Sequence, residues 1–519
     1  MSKNSNIILD GQNLTIEELK RFIENKEYNI YVSNVTLEKI KSNRKFLEAY
    51  ISKGDKIIYG ITTGFGPMAS HILPQNLSQK LQYNLIFSHA VGIGQPLKPS
   101  QVLAAMVVRL NTLIKGCSGI SQELIKHLEK IINFKITPIV PEHGAVGTSG
   151  DLVQLAHIAL GVIGCGDVYY LGKRQKTSSV YKKLKINPYN LKIKEGLSLI
   201  NGTAMMSGIS ALAYSDAEKI FNISLKISAY ALEQIHAYSD SLDPELHNVR
   251  GHSGQKLIAK NLIELLKKSK LIQSRSNLHK KFKPKNSVEK IDEKVQEVYS
   301  FRCIPQILGP IIETLQKTKK TIETEINSVT DNPIVLHKSN KIIHGGNFHG
   351  EYIAAAMDEM KASIIKLSML SERRLNFFLN NSTNKIFPPF LNSHTPGFTL
   401  GLQGLQFVAT STVAQSQSLA FPHRIHSIPT NGDNQDVVSM GTESSLFAQK
   451  ICDNAKVILT IEIIALCQIT DIKNNFKELS PNSQKIYSII RKILPKIHED
   501  KEIWEKINYL TENLLTLGI

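Results

Sequence analysis

The sequence predicts a mainly α-helical protein, a bundle of long helices preceded by an irregular first third. Three observations predict it. "AMMSGISALAYSDAEKIFNISLKISAYALEQIHAY" runs about thirty-five residues without a proline. Ile311–Asn327, Glu351–Leu379, Thr399–Phe421 and Thr442–Cys467 are shorter proline-free stretches of the same kind. Several carry few charges over long distances, the pattern of helices inside a bundle or at a subunit interface. Strand-like pieces are short and local, at "KIIYG" and "DVYYLG".

Taken in order, "TIEELKRFIENK" opens with a capping box, Thr15 and Glu18, and "TLEKIKSNRKFLEAYISKG" closes on Gly54. "SQVLAAMVVRLNTLIKG" and "SQELIKHLEKIINF" repeat a polar start followed by an apolar stripe. Beyond Asn201 the helices lengthen. The most apolar segment, "VILTIEIIALCQI", carries Glu462 and reads as a buried helix, because no apolar run reaches the ~20 residues of a spanning helix. With no repeat and no Pro/Gly/Ser linker, the chain divides only into residues 1–200, which hold the candidate site loops, and a helical region 201–519 continuous with them.

Composition narrows the class. The chain has 519 residues, enough for a large core, and its 42% hydrophobic and 21% charged content fits a soluble globular protein. The N-terminal "MSKNSNIILDGQ" lacks the apolar stretch of a secretory signal. Cys117, Cys165, Cys303, Cys452 and Cys467 are scattered and never spaced C-x-x-C. That distribution points to reduced thiols in a cytoplasm and against a disulfide scaffold or a metal site. The net charge of +17 is uneven: Gln255–Lys290 holds eleven Lys/Arg against two acids. Within it "LIQSRSNLHKKFKPKN" has one aromatic, Phe282, and no nucleic-acid reader motif, so it reads as a solvated, mobile insertion rather than a binding arm.

The loop "GAVGTSGDLVQLAH" offers two readings. In the first, Ser149 or Asp151 caps the helix that follows and the glycines supply the turn. In the second, the backbone nitrogen of Gly150 attacks the carbonyl carbon of Thr148, a five-membered ring closes, and one water leaves. Loss of the Ser149 hydroxyl as a second water leaves an exocyclic methylidene, an electrophile that no unmodified side chain provides. Gly150 suits the attack because it has no Cβ. The loop alone leaves both readings open.

Other segments are polar or aromatic without declaring a role. Tyr59 ends "KIIYG" just before the Gly-rich "TTGFG" loop, and a phenol acts as a base only where positive charge or donors favour the phenolate. Arg302 in "YSFRC" has a guanidinium suited to two-pronged capture of a carboxylate. If that stretch is helical, Tyr299 lies one turn back and Gln296 two. Asn201 in "LINGT" would otherwise be half of an Asn-Gly turn, and Asn434 and Gln435 in "NGDNQD" part of a polar turn.

Read together, "YGITTGFGPMAS", "YNLIFSHAVGIGQPL", "GAVGTSGDL", "LINGTAMM", "VQEVYSFRCIPQILGP", "TDNPIV", "HGGNFHGEY" and "PTNGDNQDVVSMGT" resemble, in order, the motifs of the histidine, phenylalanine and tyrosine ammonia-lyases. Those enzymes make a methylidene-imidazolone from Ala-Ser-Gly. The resemblance covers Tyr59 to about Thr442. It implies the ammonia-lyase fold, a homotetramer with each site completed by three subunits, and a prosthetic group formed from Thr148, Ser149 and Gly150 without a metal. It implies that Tyr59 removes the pro-S β-proton, that Arg302 clamps the substrate carboxylate, and that Tyr299 and Gln296 stand near it. It further implies that Asn201 bonds the prosthetic group or the carboxylate, that Phe348 packs near the substrate ring with Asn347 shaping its loop, and that Asn434 and Gln435 supply amide donors. The implied reaction converts an aromatic L-amino acid to a trans-α,β-unsaturated acid and ammonia. No membrane or nucleic-acid partner is implied.

Substrate choice turns on Ser88 and His89, a pair that resembles histidine enzymes and a bacterial group of tyrosine enzymes; the other motifs put tyrosine first and histidine second. The rivals are a 2,3-aminomutase with the same prosthetic group and a degenerate, non-catalytic member. Three positions depart from the family pattern. Thr148 replaces alanine, Gln154 replaces proline, and Gln415 stands where a glutamate usually handles the substrate amine.

Overall fold

The computed structural model describes residues 6–52, 54–281, 286–288, 290–291 and 294–519. Helices dominate it, as expected. The strands are two to four residues long and sit in small local sheets. Asp167–Tyr170 of "DVYYLG" is one of them, paired antiparallel with Lys173–Lys176 and with Thr137–Pro138. "KIIYG" is not a strand. The Ile58 carbonyl accepts from the N–H groups of both Ile61 and Thr62, which turns the chain at Tyr59–Gly60.

Local signals set several helices. Ile16–Glu24 starts on the predicted capping box, with the Thr15 hydroxyl accepting from Glu18 N and the Glu18 carboxylate accepting from Thr15 N. Asn34–Ile51 ends just before Gly54, which adopts a left-handed φ of +71°. Pro99–Leu113 is buried continuously from Gln101 onward, and Gln122–Asn133 packs on it.

The long helices are Ala204–Gln234, Ile304–Ile326, Glu351–Leu379, Gln403–Ser418 and Gly441–Lys473. Glu351–Leu379 matches its predicted bounds. Ile304–Ile326 starts seven residues earlier than the proline-free stretch and carries Pro310 inside it. Gln403–Ser418 is shorter than predicted, because Gly401 at φ +61° and the bond from Leu402 N to the Phe390 carbonyl hold a turn before it.

Packing divides the chain into two units, neither continuous in sequence. One comprises Met1–Ser215, Thr318–Asp358 and Pro422–Gln449; the other comprises Asp216–Lys317, Glu359–Phe421 and Lys450–Ile519. In the first unit, Ser78–His89, Leu152–Val162 and the short helix Glu195–Ile200 pack on one another. The ends of these three helices carry Ser88–His89, the Thr148–Gly150 loop and Asn201.

In the second unit, Glu462 is fully buried inside the apolar run, as predicted. It accepts from Arg374 Nε at 2.5 Å and Nη2 at 2.9 Å, and from the Ser371 hydroxyl. The basic segment departs from expectation. Ser253–Leu265 is a helix that buries Gln255, Ile258, Ala259 and Leu262, and Gly254 N donates to Glu313 at 2.7 Å. The apolar spacing Ile258-Ala259-Leu262 outweighs the lysines, which occupy the opposite side of the helix. Phe282 lies outside the described residues.

The buried Arg374–Glu462 pair makes the first prediction. Glu462→Ala leaves an uncompensated guanidinium in the core and should cost about 3–5 kcal/mol of unfolding free energy, read by denaturant titration; a loss below 1 kcal/mol would contradict it.

Candidate active site

The loop Gly144–Asp151 runs irregularly into the helix Leu152–Val162. Its backbone is held at several points. Met440 N donates to the Val146 carbonyl at 3.0 Å; the Ser439 hydroxyl, at 3.0 Å, and Gly350 N, at 2.9 Å, both donate to the Gly147 carbonyl. Gly150 has a left-handed φ of +74°, and a Cβ there would lie 2.0 Å from the Gly202 carbonyl oxygen. No side chain fits that position. Asp151 N then donates to the same Gly202 oxygen at 2.9 Å, locking the two segments in register.

Asp151 does not cap its own helix, and neither does Ser149. Asp151 occupies the cap position without a side-chain bond there. Its fully buried carboxylate instead accepts from Met205 N at 2.9 Å and Met206 N at 3.0 Å, in the first turn of Ala204–Gln234, and from the Thr442 hydroxyl at 2.5 Å. Burial pushes its pKa up to about 6, against the pull of these donors. The Ser149 hydroxyl is engaged elsewhere: it accepts from Gln435 Nε2 at 3.0 Å, while the Thr148 hydroxyl donates to Gln435 Oε1 at 2.7 Å. Asn201 Nδ2 donates to the Ser149 carbonyl at 3.1 Å. Its Oδ1, buried, has no hydrogen-bond partner among the described residues. Thr148, Ser149, Gly150, Asn201 and Gln435 therefore form one hydrogen-bonded constellation.

Arg109 lies beneath it. Its guanidinium is buried, bonded to the Ser198 carbonyl and set against Gly202, where an added Cβ would lie 2.3 Å from Nη1. Burial brings its pKa down to about 10, with Asp331 and Asp151 opposing. Nothing local in "VVRLN" announces this residue; an arginine amid an apolar run was the available signal.

Tyr59 stands at the turn that replaces the predicted strand. Its hydroxyl accepts from Gly66 N at 2.9 Å, folding the "TTGFG" loop back on the phenol, and Phe65 meets the ring edge-to-face. Its own N–H donates to His344 Nε2 at 3.2 Å. Burial raises the phenol's pKa, and the Gly66 N–H opposes the rise. Phe348 is half-buried in the loop before Gly350, where Asn347 Nδ2 donates to the Val329 carbonyl at 3.3 Å. Asn434 is exposed beside Gln435.

Ser88 and His89 end the helix Ser78–His89. The Ser88 hydroxyl donates to the Leu85 carbonyl at 3.1 Å, and His89 Nδ1 lies 2.9 Å from that same oxygen. A carbonyl only accepts, so Nδ1 carries a proton, and in the uncharged tautomer that this bond selects Nε2 is the acceptor.

Gln296, Tyr299, Arg302 and Gln415 belong to the second unit. The helix at "YSFR" begins only at Tyr299, because Val298 is extended, so Gln296 is not two turns back on it. Arg302 reaches Gln296 across that bend, Nη1 to Oε1 at 2.9 Å, and its guanidinium lies 4.6 Å from the centre of the exposed Tyr299 ring. Gln415, exposed on Gln403–Ser418, accepts from Asn454 Nδ2 at 3.0 Å.

Comparison with known proteins agrees across nearly the whole chain. The family profile described as aromatic amino acid lyase matches residues 14–492. A histidine ammonia-lyase of Macrococcus caseolyticus is 36% identical over 511 residues, covering 98% of each chain. Among solved structures, tyrosine aminomutase from Streptomyces globisporus superposes with a TM-score of 0.94 at 33% identity, covering 99% of this chain and 97% of its own. Histidine ammonia-lyase from Trypanosoma cruzi gives 0.87 at 33% identity, covering 99% and 94%.

The carboxyl of Asp151 supplies a pH test. Its folded pKa of about 6 lies above the ordinary 3.8. The stability it contributes is therefore fully present below 3.8 and lost as pH rises through about 6. Asp151→Asn keeps the two main-chain bonds and removes the titration. The fall in melting temperature between about pH 4 and 7 should be smaller in the variant than in the parent; parallel pH profiles would remove Asp151 as its cause.

Proposed function

The chain belongs to the aromatic amino acid lyase family, a family of carbon–nitrogen lyases, and we propose that it removes ammonia from L-histidine to give the trans-α,β-unsaturated acid. The observation that carries the substrate assignment is the 36% identity, over 98% of both chains, to a protein named histidine ammonia-lyase. His89 is consistent with it: an Nε2 acceptor suits a ring N–H. It suits a phenol O–H equally, so the motifs that put tyrosine first do not decide between the two substrates.

The loop fits the family's methylidene-imidazolone. Gly150 sits where only glycine fits, the Thr148 carbonyl is chemically unaltered by its branched side chain, and the Ser149 hydroxyl is held by a donor. Once formed, that group supplies an electrophilic carbon for the substrate amine. The chain's own groups do the rest. Tyr59 Oη takes the β-proton; the Gly66 N–H favours its phenolate, whereas burial works against it. The Arg302 fork binds the carboxylate, with Tyr299 and Gln296 fixing its plane. Asn201 and Gln435 present amide groups to the prosthetic loop. Gln415 cannot accept a proton as a carboxylate does, so deprotonation of the incoming ammonium falls to another group or to solvent. The tetramer with sites completed by three subunits, and a cytoplasmic location, are part of the same proposal. Among the described residues no helix is long and apolar enough to cross a membrane.

A second reading is a 2,3-aminomutase acting on tyrosine, favoured by the TM-score of 0.94 to a tyrosine aminomutase. Separate incubations with histidine, tyrosine and phenylalanine distinguish the readings. Free ammonia and an unsaturated acid from histidine are expected; a β-amino acid product would support the mutase, and turnover of tyrosine alone would overturn the histidine assignment. The intact mass should fall short of the sequence by two waters. A full, unmodified mass would remove lyase and mutase together and leave the non-catalytic member. Tyr59→Phe should lower kcat by about 100- to 10,000-fold while keeping the mass deficit.

A further inference from the structure

The most specific chemistry that the proposed reaction leaves unexplained is the side chain of Thr148. Ring closure consumes only its carbonyl, so its hydroxyl has no part in that step. Yet this hydroxyl is 2.7 Å from Gln435 Oε1, to which it donates, and the other end of the same amide, Nε2, donates to the Ser149 hydroxyl at 3.0 Å. Thr148 is buried, Gln435 half-buried, and the Thr430–Gln435 pair of main-chain bonds fixes where the glutamine starts from.

We infer that Thr148 is a positioning residue for the maturation of its own loop: its hydroxyl anchors one end of the Gln435 amide and so keeps the other end on Ser149. With Oε1 occupied by the Thr148 hydroxyl, the amide nitrogen is left for Ser149. A donor on the Ser149 oxygen assists the step in which that oxygen departs. In that step the Ser149 Cα–H and Cβ–O bonds break, a Cα=Cβ bond forms, and the hydrogen and hydroxyl leave together as one water. An N–H donated to the leaving oxygen stabilises the negative charge that develops there. The reversed amide would instead aim a carbonyl at the same oxygen. Where alanine occupies this position, the side chain offers the amide no hydrogen bond; in this chain the hydroxyl holds its oxygen end.

The inference rests on the proposed prosthetic group, and intact mass followed over time in freshly synthesised protein separates the two. The parent should lose two waters. Thr148→Val keeps the shape and removes the hydroxyl; it should lose the second water about tenfold more slowly, accumulating a species short by one water. Thr148→Ser restores the hydroxyl and should restore the rate, an outcome that a merely structural role for the methyl group would not give. Gln435→Glu, which offers no donor to Ser149, should stall at the same intermediate. Unfolding midpoints recorded on the same samples show that the fold is retained. A parent that loses both waters alongside a Thr148→Val chain that loses them equally fast overturns this inference alone. A parent that loses none overturns the prosthetic-group reading and this inference with it.

Discussion

The Asp151 carboxylate is the tie on which the candidate site depends. One buried group closes the first turn of Ala204–Gln234 through two main-chain N–H groups and holds Thr442 at the start of Gly441–Lys473. Through its own N–H it fixes Gly202, and so the left-handed turn at Gly150. An irregular loop thereby acquires the rigidity of the helices it meets. Reactive geometry on a loop needs such support, because an unsupported turn would spend most of its time elsewhere.

The charges beneath the loop follow from the same constraint. Asp151, Asp331, Arg109 and Lys194 are all buried in the first unit, and Glu325 is half-buried there. Lys194 pairs with Asp331 at 2.8 Å, and the Thr203 hydroxyl donates to Glu325 at 2.6 Å. Burying so many ionisable groups is costly unless they answer one another. Here Lys194 and Asp331 answer one another, Asp151 takes the main-chain N–H groups at the start of Ala204–Gln234, and Arg109 meets the Ser198 carbonyl.

What the sequence made legible was local. The capping box at Thr15–Glu18 and the uninterrupted helix Glu351–Leu379 depend on neighbours along the chain, and pattern reading found them. So did the buried Glu462, because an acid inside an apolar run needs a partner. Contacts that span long sequence separations escaped. The Asp151 side chain looks like a cap for the helix it precedes, and only three dimensions show that it serves another helix fifty residues on. Helical spacing puts Gln296 two turns before Arg302; the extended Val298 breaks that spacing, while a side-chain bond keeps the two residues together. Arg109 has no motif around it, and its partners, the Ser198 carbonyl and the Gly202 turn, lie about ninety residues away in the chain. The motifs resemble a known family as an ordered set, which is how the candidate site residues can be named from sequence when their hydrogen bonds cannot.

The unpaired Oδ1 of Asn201 has a thermodynamic meaning for whatever occupies the site. A buried acceptor that faces no donor among the described residues is a costly feature to leave unanswered. A ligand that brings an N–H to it removes that cost as well as adding a bond. Such a contact discriminates sharply against an analogue that carries no hydrogen at that point.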